Sequence, residues 1–141
     1  MRWFNDNLLE KLISFSLRIK ELNVCFSCAD YTDTFRYVDD GHTFVYLDPP
    51  YMLTNGSYND GKRGFKGWDV SQEAALFEFL DKLNHEGSRF MLSYVLEHKG
   101  KVNQNLVNWT QDNHYHIIEL GDILGISGSR RKEILVTNYE R

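Results

Sequence analysis

Cysteine is scarce in this sequence, and its placement argues against several kinds of site. The 141 residues contain two cysteines, which form the single pair Cys25-Phe-Ser-Cys28. A lone C-x-x-C can be redox-active or half of a zinc site, but no second pair occurs and this one falls on a predicted strand. His114 and His116 share one face of another predicted strand without an evident third ligand. We therefore expect buried or half-buried thiols in a reduced cytosol, and no metal site.

Long hydrophobic runs and a net positive charge are also missing. No apolar segment approaches the ~20 residues that a membrane-spanning helix needs. The N-terminal residues 1–6 do not have the pattern of a signal peptide, so a cytoplasmic protein is expected, with residues 1–141 as a single domain. The formal net charge of −4 argues against a protein that holds nucleic acid by bulk electrostatics alone.

Proline occurs only twice, and the two prolines are adjacent, in Asp48-Pro49-Pro50-Tyr51. They end an apolar, β-prone run at 43–47 that is expected to be buried. Because proline has no N–H, the strand must stop there, and bare carbonyls are left beside a carboxylate and an aromatic ring. Such an acceptor-only edge suits a planar group with N–H donors, above all the exocyclic amine of a nucleobase. A tight turn capped by the Asp48 side chain, with Tyr51 packed nearby, is the plainer alternative.

The basic residues are clustered in two segments. They are Lys62, Arg63 and Lys66 in a Gly-rich loop at 51–67, and Arg130, Arg131 and Lys132 in a second loop. Loops as long as the first are usually functional or mobile in a compact domain. Each cluster is either a contact surface for nucleic acid or an ordinary solvated loop.

Hydrophobic periodicity predicts three helices. The first covers residues 7–19, a second begins at the capping residue Ser71 and ends at Gly87, and a weaker one covers 102–111. Leu8, Leu12, Phe15 and Ile19 recur at helical spacing in the first helix. The residues expected on the buried side of the second are Ala74, Leu76, Phe77, Leu80 and Leu83.

Five strands are predicted, at residues 23–27, 43–47, 89–96, 115–120 and 132–138. Alternation of the first three with helices indicates an α/β fold with a parallel sheet and crossover helices. The last two are separated only by a loop, so they are expected to form an antiparallel hairpin. Ligands bind beyond the carboxyl ends of such strands, where Asp30 and Asp48 fall.

These segments together resemble the Dam-type family of DNA adenine N6-methyltransferases. Residues 44–51 look like the signature strand and motif of the family, and residues 23–31 resemble the acidic motif that precedes it. Residues 90–95 are similar to the next strand, although Tyr94 stands where the family typically has Asn. Residues 131–139 resemble the closing strand, and residues 95–100 resemble the branch attached to restriction systems.

The resemblance implies a fold and a set of functional residues. The fold would be a partial Rossmann-like methyltransferase sheet, mostly parallel with a C-terminal antiparallel hairpin, that forms the C-terminal part of the catalytic domain. Asp48, Pro49, Pro50 and Tyr51 would be catalytic. Asp30 and Tyr31 would bind S-adenosylmethionine, with the Asp30 carboxylate facing its adenine. Lys62, Arg63 and Lys66 would contact the DNA.

The chain departs from the family in one major respect. The F-x-G-x-G cofactor loop and the target-recognition insertion of the family are missing, and no G-x-G occurs in these residues. We therefore expect a fragment, a decayed remnant, or one half of a split enzyme whose second chain supplies the N-terminal half.

Two other functions remain open at this stage. RNA and protein methyltransferases can carry a similar Asn/Asp-Pro-Pro-aromatic motif. A catalytically inactive half-domain that binds nucleic acid or a partner is the alternative outside the enzymes, and the missing glycine loop favours it.

Overall fold

The computed structural model describes residues 5–39, 41–54, 67–124 and 130–140. The predicted DNA contacts Lys62, Arg63 and Lys66 lie outside these ranges. The chain divides into two compact units, Met1–Tyr31 and Thr32–Arg141, which are described in turn. None of the helices within the described ranges is long and apolar enough to cross a membrane.

The first unit consists mainly of helix α1, Asp6–Glu21, which confirms the first predicted helix. Asn5 caps this helix, because its side-chain oxygen accepts a hydrogen bond from the backbone N–H of Leu8 at 2.8 Å. The helix has no buried residue, and Leu12 and Phe15 remain 45% and 64% exposed. Helical periodicity thus predicted the element correctly, and its apolar residues are not buried by the described part of the chain.

Residues 23–27 do not form the predicted strand. A strand exists only through hydrogen bonds to a neighbouring strand, and the described part of the first unit contains no other strand for it to pair with. Cys25 and Cys28 lie in this segment as free, exposed thiols, so the expectation of buried or half-buried cysteines is wrong.

A short 3₁₀ helix, Tyr31–Tyr37, begins at the last residue of the first unit and forms the start of the second. One sheet and two helices follow it. In chain order these elements are β1 Phe44–Leu47, α2 Val70–His85, β2 Arg89–His98, β3 Lys101–Val102, α3 Gln104–Asp112, β4 His116–Leu124 and β5 Arg130–Thr137.

The sheet of the second unit has the strand order β1-β2-β5-β4, with β3 paired to β2 outside that path. Only β1 and β2 run parallel among the described strands; the other pairs are antiparallel. The prediction of a mostly parallel sheet is therefore wrong for these residues. The segment 23–27 contributes no parallel strand, and the other edge of β2 is occupied by the last strand of the hairpin. The predicted antiparallel hairpin, β4 with β5, is confirmed.

The core of the second unit lies between the sheet and helices α2 and α3. Phe77 of α2 stacks on Trp109 of α3 with ring centroids 4.2 Å apart, and Phe90 of β2 packs against Trp109 from the sheet. The largest fully buried apolar side chains are Tyr94, Phe90, Leu76, Leu80, Leu83, Leu92, Leu106 and Ile134. Burial of this apolar surface provides the main stabilisation of the unit.

Helix α2 differs from the prediction in its cap and in its buried face. Asp69, and not Ser71, is the N-cap, because its carboxylate accepts from the backbone N–H groups of Ser71 and Gln72. Ala74 is exposed, although it was expected to be buried. Glu73 and Phe79 are buried in addition to the predicted leucines and Phe77.

Strand β1 is less buried than its apolar sequence predicts. Phe44 and Tyr46 are 54% and 56% exposed, and Leu47 is the buried residue of the strand. Phe44 and Tyr46 share one face of the strand, opposite Val45 and Leu47, and the described residues leave that face exposed.

Candidate active site

The Asp48–Tyr51 turn begins where β1 ends, at Leu47, as the two prolines predict. Leu47 pairs in parallel with Leu92 of β2, so the residues that follow each of them, Asp48 and Ser93, come to the same edge of the sheet. Asp48 and Pro50 are exposed, while Pro49 is half-buried. The turn therefore presents its carboxylate to solvent at the carboxyl end of a parallel strand pair.

A hydrogen bond within the turn joins its first and last residues. The hydroxyl of Tyr51 donates to Oδ1 of Asp48 at 2.7 Å, and it also lies 3.4 Å from Oγ of the buried Ser93. On the other side, the backbone N–H and the hydroxyl of Thr54 both donate to the carbonyl oxygen of Tyr51. These contacts fix the Tyr51 side chain and backbone, and they hold one oxygen of Asp48 in place.

The hydrogen bond from Tyr51 to Asp48 requires the Tyr51 hydroxyl to keep its proton. Burial is the largest effect that raises the pKa of Tyr51, to about 12, and the hydrogen bond and negative charge of Asp48 act in the same direction. The contact with Ser93 opposes the change. Tyr51 therefore remains a neutral hydrogen-bond donor to Asp48 at neutral pH.

The ring of Tyr51 has two further contacts. Its edge-to-face neighbour is Tyr94, with centroids 5.6 Å apart and the rings inclined by 80°. The guanidinium carbon of Arg131 lies 5.9 Å from the Tyr51 ring centroid, within the range of a cation–π interaction. Arg131 also forms an ion pair with Glu133, and Lys132 forms one with Glu119. The second basic cluster therefore lies on strand β5 and not in the predicted loop, and two of its residues pair with acids of the sheet.

A buried polar network lies behind Tyr51, and sequence reasoning missed it. Tyr94 donates its hydroxyl proton to Oε1 of Glu73 and accepts a hydrogen bond from the indole N–H of Trp68, both at 2.9 Å. Glu73 is fully buried and also accepts from the side-chain amide of Asn103 at 2.6 Å. Burial raises the pKa of Tyr94, as do the charge and the hydrogen bond of Glu73, whereas Trp68 and the backbone of Met52 lower it.

One signal in the sequence could have revealed the buried acid. Glu73 precedes Leu76, Phe77 and Leu80 at the spacing of one helix face, so it belongs to the apolar side of α2. No comparable signal marks Tyr94, because a tyrosine in an apolar strand is an ordinary core residue.

The structure brings together only some of the predicted site residues. Asp48, Pro49, Pro50 and Tyr51 form one turn, as the motif requires. Asp30 is exposed and Tyr31 is half-buried at the start of the 3₁₀ turn; both belong to the first unit. Lys62, Arg63 and Lys66 are outside the described ranges.

Comparison with known proteins identifies the family. Residues 2–126 match the model of the D12 class N6 adenine-specific DNA methyltransferases. The chain belongs to this family. The match includes the turn at Asp48–Tyr51 and the acidic segment that ends at Asp30 and Tyr31.

Several relatives are modification enzymes of restriction systems. The chain is 44% identical to Modification methylase LlaI of Lactococcus lactis subsp. lactis over 96% of its own length and 21% of the relative. It is 40% identical to Modification methylase StsI of Streptococcus sanguinis, over 97% of the chain and 22% of the relative. Type II methyltransferase M.FokI of Planomicrobium okeanokoites is also 40% identical, over 96% and 22%. The chain thus spans about a fifth of the length of each of these curated relatives.

Proposed function

We propose that the protein containing this chain methylates adenine at N6 in DNA, with S-adenosylmethionine as the methyl donor, in a restriction–modification system. The observation that carries this proposal is the exposed Asp48 carboxylate at the carboxyl end of β1, followed by two prolines and fixed by the Tyr51 hydroxyl. Membership of the D12 class and the similarity to three modification methylases support it.

The chemistry depends on acceptors for an amino group. The exocyclic nitrogen of adenine is a poor nucleophile because its lone pair is delocalised into the ring. Asp48 and the carbonyl oxygen of Pro49 accept its two N–H bonds and direct the lone pair out of the ring plane. The same acceptors stabilise the positive charge that develops on nitrogen, which is usually the largest contribution in such sites.

Tyr51 and Pro50 give the turn its shape. Pro50 lacks an N–H, so no backbone donor competes with the adenine amine for the acceptors beside it. The Tyr51 ring stacks on the target base once the base has left the duplex, since an enzyme of this kind must extrude its target. Its hydroxyl holds Oδ1 of Asp48 and leaves Oδ2 for the amine.

The residues proposed to hold the cofactor are Asp30 and Tyr31. The exposed Asp30 side chain is a hydrogen-bond acceptor, and the half-buried Tyr31 offers an aromatic surface. Both suit a ligand that carries an amino-substituted purine and ribose hydroxyl groups, so these residues fit part of S-adenosylmethionine. When bound, the cofactor supplies an electrophilic methyl group on sulfonium sulfur.

Two further parts of the proposal concern the fold and the DNA. We assign the sheet to the C-terminal part of a Rossmann-like methyltransferase domain. Lys62, Arg63 and Lys66 are proposed to contact DNA phosphates. The three relatives carry the matching region within one longer chain, so they give no support to a second chain that supplies the N-terminal half.

The test is identification of the product. The complete gene product that carries this sequence is incubated with radiolabelled S-adenosylmethionine and with duplex DNA or RNA, and the digested nucleosides are separated by chromatography. Label in N6-methyldeoxyadenosine is the expected result. Label only in RNA nucleosides would favour an RNA methyltransferase. No transfer to either substrate would contradict the proposal and favour a non-catalytic binding protein.

A further inference from the structure

The side chain of Tyr94 packs against the Asp48–Tyr51 turn through the ring of Tyr51. Tyr94 is fully buried, and its ring meets the ring of Tyr51 edge to face at 5.6 Å. Tyr51 in turn donates its hydroxyl proton to Asp48. The position of the Tyr94 ring therefore limits where Tyr51 can lie, and through Tyr51 it limits the orientation of the Asp48 carboxylate.

Tyr94 is itself fixed at its far end by polar contacts. Its hydroxyl donates to Glu73 and accepts from the indole N–H of Trp68, both at 2.9 Å. Phe77 contacts its ring edge to face, with centroids 6.5 Å apart. A side chain with packing on its ring and hydrogen bonds in two directions at its hydroxyl has little freedom to rotate or shift.

Glu73 is the junction of this network. It is 0% exposed, and it accepts hydrogen bonds from Tyr94 and from the side-chain amide of Asn103, with a longer one from Asn105 at 3.4 Å. The orientation of the Asn103 amide is set by its second task, because its oxygen caps α3 by accepting from the N–H of Leu106. Glu73 thus connects α2 to β2 and to the start of α3.

A buried carboxylate such as Glu73 contributes less to the stability of a core than an apolar side chain would. None of the ion pairs among the described residues involves Glu73. Removing a carboxylate from water without a cationic partner costs stability, and apolar side chains of similar volume often stabilise a core as well or better. What such a network does supply is a single defined orientation for each of its members.

We propose that Tyr94, held in place by Glu73, is a positioning residue for the Asp48–Tyr51 turn. It contacts neither the adenine nor the cofactor. It fixes the ring of Tyr51, so that the Tyr51 hydroxyl keeps the Asp48 carboxylate in the orientation that accepts the target amine. This inference rests on the proposed methyl transfer for its catalytic consequence, but its structural part stands on the contacts alone.

The second unit provides a matched control for this test. Tyr115 donates its hydroxyl proton to Oδ1 of Asp81 at 2.9 Å, and the same oxygen accepts from the indole N–H of Trp109 at 2.9 Å. Asp81 is, like Glu73, an acid of α2. A tyrosine, a tryptophan and a carboxylate therefore meet twice in this unit. The ring of Tyr115 packs on Phe90 and Trp109, and its hydroxyl binds Asp81, so this group reports on the structural cost alone.

Steady-state kinetics of the complete gene product test the catalytic part. Tyr94→Phe keeps the ring and removes the hydroxyl, and it is expected to lower kcat about tenfold with KM for DNA unchanged, since small misplacements are costly in such sites. Tyr115→Phe should lower the melting temperature about as much as Tyr94→Phe does, but it should leave kcat unchanged. Equal kcat values in the two variants would overturn the proposal.

A double-mutant cycle with Tyr51→Phe tests whether Tyr94 acts through Tyr51. Without the Tyr51 hydroxyl the connection to Asp48 is already broken, so Tyr94→Phe should then cost less than about twofold in kcat. A tenfold cost in both backgrounds would mean that Tyr94 does not act through Tyr51, and the proposal would be wrong.

A spectroscopic measurement keeps the proposal testable if methyl transfer is absent. With ¹³Cζ-labelled tyrosine, the Tyr51 signal is assigned by its loss in Tyr51→Phe and then followed at neutral pH. It should move in Tyr94→Phe and in Glu73→Gln, and stay in place in Tyr115→Phe. An unmoved signal in Tyr94→Phe, or an equal shift in the control, would overturn the positioning role. Failure of the proposed function would instead appear as a wild-type protein that transfers no methyl group.

Discussion

The hydroxyl of Tyr51 donates a hydrogen bond to Oδ1 of Asp48 across 2.7 Å, so the first and last residues of the Asp-Pro-Pro-Tyr turn act as one unit. The prolines between them limit the backbone, and the hydrogen bond limits the carboxylate. The motif therefore specifies more than a set of acceptors, because its own aromatic residue orients the acid.

The first prediction separates the two parts of Tyr51. Tyr51→Phe retains the ring but releases Asp48, so methyl transfer should fall about tenfold through loss of orientation. Tyr51→Ala also loses base stacking, which is worth about 1–3 kcal/mol per base, so its rate should be lower still. Single-turnover rates on duplex DNA measure both. Wild-type activity in Tyr51→Phe would show that the hydroxyl has no role, and equal rates in the two variants would show that the ring has none.

The second prediction concerns alkaline stability. Folding raises the pKa of Tyr51 from its ordinary value of 10.0 to about 12, because the buried site favours the neutral phenol. Below pH 10 Tyr51 is protonated in both the folded and the unfolded chain, so it does not make the free energy of unfolding depend on pH. Between pH 10 and about 12 the unfolded chain loses the proton first, and the free energy of unfolding decreases.

Urea unfolding at closely spaced pH values measures this effect. The decrease between pH 10 and 12 should be smaller in Tyr51→Phe than in the wild type, because the variant lacks one of the titrating groups. Tyr94 and Tyr115, whose pKa values are also raised by burial, contribute to the same decrease. An unchanged pH profile in Tyr51→Phe would contradict the buried, hydrogen-bonded state of this hydroxyl.

Local signals in the sequence predicted most elements of the second unit. The strand before the prolines, the second helix and the final hairpin all occur, because each depends on neighbouring residues; the second helix ends at His85, two residues before the predicted Gly87. The cap of α2 was misplaced because Asp69 and Ser71 are both good capping residues. Asp69 has this role in the structure, since its carboxylate accepts from the backbone N–H groups of Ser71 and Gln72.

Features that depend on distant partners could not be predicted in the same way. The segment 23–27 has the composition of a strand, but strand formation needs a neighbour that composition does not specify. The candidate site shows the same contrast between features set by neighbouring residues and features set by distant ones. The turn residues were predicted because they are contiguous, whereas the contact of Tyr94 with Glu73 joins residues on different elements, and nothing in either segment indicates the other.

The third prediction tests what holds the hairpin to α2. The side-chain oxygen of Asn138 accepts from the N–H of Phe90 at 2.9 Å, and its amide donates to the Ser88 carbonyl and to Asn84, both at 2.8 Å. Asn138→Ala leaves a buried backbone N–H without its partner, so it should cost about 1–3 kcal/mol of unfolding free energy. Urea denaturation at pH 7 measures the loss.

Asn138→Asp serves as the control for this change. The aspartate keeps an acceptor for Phe90, but its second oxygen faces the acceptor oxygens of Ser88 and Asn84, so its stability should also fall below that of the wild type. Wild-type stability in the alanine variant would mean that these contacts contribute nothing measurable.

The fourth prediction concerns the basic segment 51–67, for which the sequence predicts a loop. If Lys62, Arg63 and Lys66 contact phosphates, replacing all three by glutamine should weaken DNA binding and reduce the salt slope by about one unit for each lost contact. Fluorescence anisotropy over a range of salt concentrations measures the slope. Lys82→Gln, an exposed lysine of α2, should leave it unchanged. A triple variant with the wild-type slope would identify a solvated loop.

The most direct test of the account is the single-turnover rate of adenine methylation by Asp48→Ala in the complete gene product. The variant should bind DNA at least as tightly as the wild type, because the change removes a negative charge and no phosphate contact. Its rate should fall by at least about two orders of magnitude, the scale for loss of one preorganised electrostatic contact. A rate within a few fold of the wild type would contradict the central claim that the Asp48–Tyr51 turn accepts and activates the target amine.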